Sequence, residues 1–352
     1  MNPSCDMIEN GTKKEVGFGI VGCGVIMEWH AAAIKTANGG RLVGITDVNV
    51  ERARSVAEQY GVKAYATVEE LLADDAIDAV CICTPSGFHA SIAMKVIKAG
   101  KNVMIEKPLA IKTEDCKALI AAAKESGVCA SVISQNRFTD TIQELRRIVQ
   151  EGRLGKIITV DLLMKFFRSQ EYYDSSNWRG TWALDGGSLM NQGIHGVDFM
   201  IYVLGNVKSV YAYSRTLAHD MEAEDTACAV VEFENGALGV IQSTTAIYEG
   251  LPRSLTIAGT KGTITVKGDE IENVNIADYE VALKVGSRAH EKSFAHPTHI
   301  GYEGHTFQIQ DFIDAIREGR DPLVTLEDAS RAVAFINAVY ESSRTGKQVF
   351  LN

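Results

Sequence analysis

The chain has 352 residues, 46% of them hydrophobic, and a formal net charge of −10. That length allows two domains with a core each, and no block of Lys and Arg offers a surface that could track nucleic-acid phosphates. No apolar run approaches the ~18 residues needed to cross a bilayer, and residues 1–15 are polar without an apolar h-region, so they read as a loose tail and not as a signal peptide. The seven cysteines (5, 23, 81, 83, 116, 129 and 228) are scattered and odd in number. Most lie in apolar strands or helices, where free Cys behaves as a small hydrophobe. The pattern predicts a reduced, cytoplasmic protein without structural disulfides.

Residues 16–21 form an apolar run that reads as a buried parallel strand. The turn Gly22-Cys23-Gly24-Val25-Ile26-Met27 follows, and residues 25–37 have helical composition. A strand, a glycine turn and a helix N-terminus meeting at one point suit a dinucleotide pyrophosphate. Met27 occupies the place of the third glycine in the usual G-x-G-x-x-G. The next strand, 41–47, ends in Asp47, where a carboxylate attracts the ribose 2′-hydroxyl of NAD and repels the 2′-phosphate of NADP. Val48 and Asn49 come next, with no Arg to receive that phosphate, so NAD is the expected cofactor.

Further along, the pattern predicts a helix over 51–60, a short strand over 62–65, and a helix capped by Thr67 with Glu69 and Glu70 in its first turn. Strands are expected over 78–83, 102–105 and 128–134, with helices over 90–99 and 113–126. Alternating strands and helices mean a doubly wound parallel sheet whose ligand site lies at the strands' carboxyl ends, where Asp47, Thr84, Lys107 and Gln135 stand. We expect this Rossmann domain over 1–134. From 135 to 352 the pattern changes to an α+β domain: a helix over 141–151, a strand over 156–167, an aromatic loop, a helix over 188–204, and closing helices over 306–318 and 326–343. Between them run strands over 207–216, 226–234, 237–245, 253–259 and 262–267, with weaker ones to about 284. Glycine-containing turns separate them, as in an open, mostly antiparallel sheet.

Two stretches carry chemistry. Lys107 stands between a buried strand and a proline, where its amine can donate to a substrate oxygen and help move a proton. In the segment from Asp185 to Asp198, Gly186 and Gly187 open a helix, and Asn191 and His195 lie four apart on one face. His195 is suited to take the proton that an alcohol releases on oxidation, and Asn191 can orient a substrate but cannot act as a base. His296, His299 and His305 have no Cys or carboxylate framework at ligand spacing, so no metal is expected.

The Gly22-Cys23-Gly24 turn, Thr84-Pro85-Ser86 with His89, Glu106-Lys107-Pro108 and the Asn191–Asp198 segment together resemble the Gfo/Idh/MocA family of NAD(P)-dependent oxidoreductases, over nearly the whole chain from Val16. The resemblance implies hydride transfer between NAD(P) and a carbohydrate-type hydroxyl, with Lys107 and His195 as the catalytic pair. It implies cofactor contacts from Gly22, Gly24, Val25, Ile26, Asp47, Thr84, Pro85, Ser86, His89, Glu106, Lys107 and Gln135. Arg137, Trp178 and Arg179 stand where it puts crevice loops, and with Lys107, Asn191, His195 and His305 they are the expected substrate contacts. Many members have Asp where Asn191 stands. The wording around residues 135–138 and 191–195 is most like members acting on sugar nucleotides, glycosides or inositols. Two alternatives stay open: an NAD-dependent glycosidase working by transient oxidation and elimination, and a non-catalytic NAD-binding regulator. Because strands 226–233 and 237–241 are apolar at successive positions, a homodimer or homotetramer through this sheet is expected, with no nucleic-acid or membrane partner.

Overall fold

A computed structural model describes residues 8–9, 12–13, 15–278 and 302–351. Cys5, His296, His299 and the strand ends expected between 279 and 284 lie outside them. The chain divides into two units: one from Met1–Gln135 with Gly301–Ser330, the other from Asn136–Ile300 with Arg331–Asn352.

In the first unit, a two-stranded ribbon, β1 (Ile8–Glu9) and β2 (Thr12–Lys13), precedes the main sheet. The alternation then runs β3 (Val16–Val21), α1 (Val25–Thr36), β4 (Gly40–Thr46), α2 (Val50–Tyr60), β5 (Lys63–Tyr65), α3 (Val68–Leu72), β6 (Ala79–Ile82), α4 (His89–Lys98), β7 (Asn102–Ile105), α5 (Thr113–Ser126) and β8 (Ala130–Val132). Local chemistry sets the ends. The Thr67 side chain accepts from Glu70 N–H at the start of α3, and Gly61 and Gly127 stop α2 and α5 in the left-handed conformation. The six strands are all parallel, in the order β5-β4-β3-β6-β7-β8. Counted from β3, this is the 3-2-1-4-5-6 order, whose switch point lies between β3 and β6. The glycine turn after β3 and Thr84 after β6 therefore flank that point. Ile309, Phe312 and Ile313, from a later helix of this unit (Glu303–Glu318), belong to the same core as Phe18, Ile20 and Ile34.

The second unit begins with α6 (Asp140–Gln150), β9 (Ile157–Lys165) and α7 (Gln170–Asp174). A π-helical turn, Leu189–Gly193, leads into α8 (Ile194–Leu204). Next come β10 (Val207–Arg215), β11 (Thr226–Phe233), β12 (Leu238–Thr244), β13 (Ser254–Gly259), β14 (Gly262–Lys267) and β15 (Glu270–Ile276). The chain closes with α9 (Glu303–Glu318, in the first unit), α10 (Leu326–Thr345), which passes from one unit into the other, and β16 (Val349–Phe350). The eight strands lie in the order β15-β14-β13-β9-β12-β11-β10-β16, antiparallel throughout except for the β9–β12 pair. This matches the expected α/β class with an open, mostly antiparallel second sheet.

Along β11 and β12 burial alternates. Ala227, Ala229, Val231, Phe233 and Ile241 point inward, while Val230, Leu238 and Val240 are 57%, 60% and 46% exposed. Both faces thus carry apolar side chains, as the strand sequences predict. On the inner face α8 packs closely, because Gly196 has no side chain: a Cβ there would come within 2.4 Å of Met164 Sδ on β9.

Candidate active site

The dinucleotide end of the first unit is built from backbone. Gly22 has φ +101°, and a Cβ there would lie 2.6 Å from Cys83 O, so only glycine fits this turn. At Gly24 the position of a Cβ is open space, and no side chain caps the N-terminus of α1. A helix start without a cap, reached over a bare glycine, suits a pyrophosphate beside Val25 and Ile26. Asp47 follows β4; its Oδ2 accepts from Cys23 N–H at 2.7 Å and its Oδ1 from Asn49 N–H at 2.8 Å. The carboxylate expected to read the ribose is thereby held at the glycine turn. Beyond β6, Pro85 precedes a short 3₁₀ turn, Ser86–Phe88, and Thr84 Oγ1 is buried without a hydrogen bond among the described residues. A buried hydroxyl lacking a partner, an open cradle over Gly24 and a tethered carboxylate all fit a dinucleotide.

The structure gives His89 a supporting place. It is 1% exposed, with Nδ1 2.7 Å from Pro108 O and Nε2 2.9 Å from Thr84 O, so it joins the loop after β6 to the loop after β7. Glu106 is buried too. His30 Nε2 donates to its Oε1 at 2.8 Å, and the Lys107 backbone N–H donates to its Oε2 at 3.1 Å. Against the opposing effect of burial, His30 and the neighbouring His305 hold its carboxyl well below the usual carboxylate range. Lys107 itself is half-buried at the carboxyl end of β7. His305, expected at the substrate, is instead buried on α9. Its Nε2 is 3.6 Å from Glu106 Oε1, beyond hydrogen-bond reach, and its ring meets those of Trp29 and His30 edge-on. His30, Glu106 and His305 thus form a buried cluster of potential ligand groups that sequence reasoning missed. Its signal was a lone His on the alanine-rich α1. Gln135 closes this unit's first segment, its side-chain oxygen buried without a hydrogen bond among the described residues.

In the second unit the element bearing His195 is held by a residue far along the chain. Glu224, just before β11, accepts from Ser188 N–H through its carbonyl oxygen at 2.7 Å and from Leu189 N–H through Oε1 at 2.8 Å. Tyr340 O–H also donates to Oε1, at 3.1 Å. Gly187 makes room for this side chain, since a Cβ there would lie 1.5 Å from Glu224 Oε2. Burial pushes the Glu224 carboxyl up to about 8, so it is protonated at neutral pH. Here the structure corrects the expectation of one regular helix over 188–204: a π-helical turn, Leu189–Gly193, precedes α8. Glu224 holds the leading N–H groups of this turn directly after the two glycines. Half-buried His195 lies in the first turn of α8.

Around this turn runs a row of polar side chains. Arg168 Nη2 donates to Gln192 Oε1 at 2.8 Å, Gln192 Nε2 to Asn191 Oδ1, Asn191 Nδ2 to Asp185 Oδ1, and Gly180 N–H to Asp185 Oδ2 at 2.8 Å. Sequence reasoning gave none of Arg168, Gln192, Asp185 or Glu224 a role; only the Asp185-Gly186-Gly187 turn was a signal. Arg137, expected as a substrate contact, is fully buried and paired with Asp198 of α8, Nε to Oδ2 at 2.8 Å and Nη2 to Oδ1 at 2.6 Å, a core ion pair. Trp178 and Arg179 form a self-packed group: Arg179 lies over the Trp178 and Tyr172 rings and donates to Tyr172 Oη at 2.6 Å.

A doubly wound sheet with a glycine turn and an acidic second-strand end, followed by a mixed-sheet domain, defines a dinucleotide-dependent oxidoreductase. Comparison with known proteins supports this directly. Residues 16–134 match the model of the oxidoreductase family's NAD-binding Rossmann fold, and residues 146–351 that of its C-terminal α/β domain. The chain belongs to the Gfo/Idh/MocA oxidoreductase family and is an NAD-dependent enzyme. It is 34% identical to the WlbA dehydrogenase of Bordetella pertussis, solved with NADH and UDP-GlcNAcA, with a TM-score of 0.88 over 97% of this chain and 99% of that one. Scyllo-inositol 2-dehydrogenase (NAD(+)) of Bacillus subtilis is 27% identical over 96% of this chain and 97% of its own. Myo-inositol 2-dehydrogenase of Thermotoga maritima is 27% identical over 95% and 98%.

Proposed function

We propose that this enzyme oxidises a ring hydroxyl of a carbohydrate-type substrate, with nucleotide sugars the first class to test and inositols and glycosides next. The observation that carries the reading is a lysine fixed after β7 and a histidine in the first turn of α8, in a chain 34% identical to a dehydrogenase solved with a nucleotide sugar. The dinucleotide, when bound, supplies the hydride acceptor. Lys107 Nζ donates to the reacting oxygen and stabilises developing negative charge, His195 takes the hydroxyl proton, and Asn191 orients the hydroxyl. Glu106 holds the Lys107 backbone; Gly22, Gly24 and Asp47 hold the dinucleotide. The exposed apolar face of the second sheet supports a homodimer or homotetramer, and free cysteines at 23, 81, 83, 116, 129 and 228 support a reducing, cytoplasmic setting.

The test is NADH formation across nucleotide sugars, glycosides, free sugars and inositols. We expect turnover with one of these classes, and a fall in kcat of about 10²-fold or more in Lys107→Ala or His195→Ala, with NAD still bound. Release of free sugar from a glycoside without net NADH would point to a glycosidase. NAD binding without turnover of any polyol would point to a regulator.

A further inference from the structure

We propose that Arg168, Gln192 and Asp185 are positioning residues that fix the amide of Asn191 in one orientation for substrate; this rests on the reading that Asn191 orients the reacting hydroxyl. The row Arg168–Gln192–Asn191–Asp185 starts from a group of fixed polarity, because a guanidinium can only donate hydrogen bonds. The Gln192 atom facing Arg168 Nη2 must therefore be its oxygen, which turns the Gln192 nitrogen toward Asn191. The Asn191 atom facing that nitrogen must be its oxygen, which turns the Asn191 nitrogen toward Asp185, whose two oxygens accept from Asn191 and from Gly180 N–H. Read from Arg168, the order of donors and acceptors is continuous, so neither amide can flip without setting donor against donor or acceptor against acceptor. Asp185 is anchored in turn by Gly180 N–H, and Arg168 Nη1 by the Phe167 carbonyl at 2.7 Å. Arg168 and Asp185 are 9% and 1% exposed, so water competes little for these bonds.

The row also accounts for the amide at position 191. A carboxyl group there would set acceptor against acceptor at Asp185, whose Oδ1 takes the Asn191 Nδ2 hydrogen. Positions 185 and 191 are thus read as one unit.

Charge exchange tests this. N191D should lower kcat by about tenfold or more while the affinity for NAD stays unchanged, as D185N should also. The double variant D185N/N191D restores a consistent donor–acceptor order along the row, and its kcat should recover to within about threefold of the parent. Q192L, which cuts the row in the middle without adding charge, should lower kcat by about tenfold at constant NAD affinity, and it serves as the second arm if a charged variant does not fold. A double variant no better than the worse single one, or Q192L with the parent's kcat, overturns the proposal. If Asn191→Ala and His195→Ala retain full turnover, the proposed function fails, and separately from the row.

Discussion

Asp47 does two jobs with one carboxylate. It stands where the adenosine ribose is expected, and it accepts the Cys23 N–H of the glycine turn. Val48 beside it is fully exposed, so an arginine at 48 would meet no packed neighbours. We expect the protein to bind NAD more tightly than NADP, and Asp47→Ser combined with Val48→Arg to reverse the order. Because Ser at 47 is a poorer tether for the turn than a carboxylate, NAD affinity should drop by about tenfold or more, a loss of about 1.4 kcal/mol. Fluorescence titration with both cofactors decides it; equal affinities in the unmutated protein refute the claim. At this scale the sequence was readable where position alone marks a residue. The positions of Gly22, Asp47 and Lys107 were legible, since each stands at the carboxyl end of a strand, after β3, β4 and β7; the roles read from those positions remain proposals. The surroundings of Arg137 were not legible, because a basic residue after a strand reads the same whether it faces solvent or a buried acid, and its partner Asp198 stands 61 residues away.

The π-helical turn and α8 show what element-scale reading misses. Apolar spacing over 188–204 correctly implied a buried helix, but its first turn is π-helical and its leading N–H groups are held by Glu224, 35 residues from Leu189. No local pattern encodes a cap delivered from that distance. Glu224 also makes this element sensitive to pH. Its carboxyl is raised by burial to about 8, whereas the unfolded chain titrates near the ordinary value of ~4.3. Between those values the folded state keeps a proton that the unfolded state releases, so the contribution to stability is full at low pH and is lost as pH rises through about 8. The slope is about 1.4 kcal/mol per pH unit across that window. Glu224→Gln, which stays neutral at every pH, should flatten it. Denaturant unfolding of parent and variant at pH 5.5, 7 and 8.5 measures this, and parallel slopes in the two proteins would remove Glu224 from the account.

For the whole molecule the second sheet sets the expectation. One face is covered by its own unit's core; the other presents Tyr213, Val230, Leu238 and Val240, with Cys228 also exposed. The register places Val230 opposite Val240 and Glu232 opposite Leu238, so the apolar residues are contiguous across β11 and β12. A patch of this kind is rarely left to water, and a second copy offering the same patch covers it by two-fold symmetry. Light scattering coupled to size exclusion at micromolar concentration should give two or four times the mass of one chain. Val240→Lys should shift that toward the monomer, because a pair of buried lysines facing each other is unfavourable. A monomer mass for the unmutated chain would mean that another element covers the face.

The interleaving of the two units has a consequence for how the chain is made. The first unit's core is shared between Phe18, Ile20 and Ile34 near the start and Ile309, Phe312 and Ile313 of α9 near the end; the Phe18 and Phe312 rings lie 6.4 Å apart. During synthesis the dinucleotide-binding sheet therefore leaves the ribosome with part of its apolar surface uncovered, and it must wait for nearly the whole second unit to be translated before α9 arrives. At ~5–20 residues per second that interval lasts on the order of ten seconds or more. The nascent Rossmann half keeps that apolar surface exposed throughout, and a premature stop anywhere before α9 would yield a fragment that cannot complete its core.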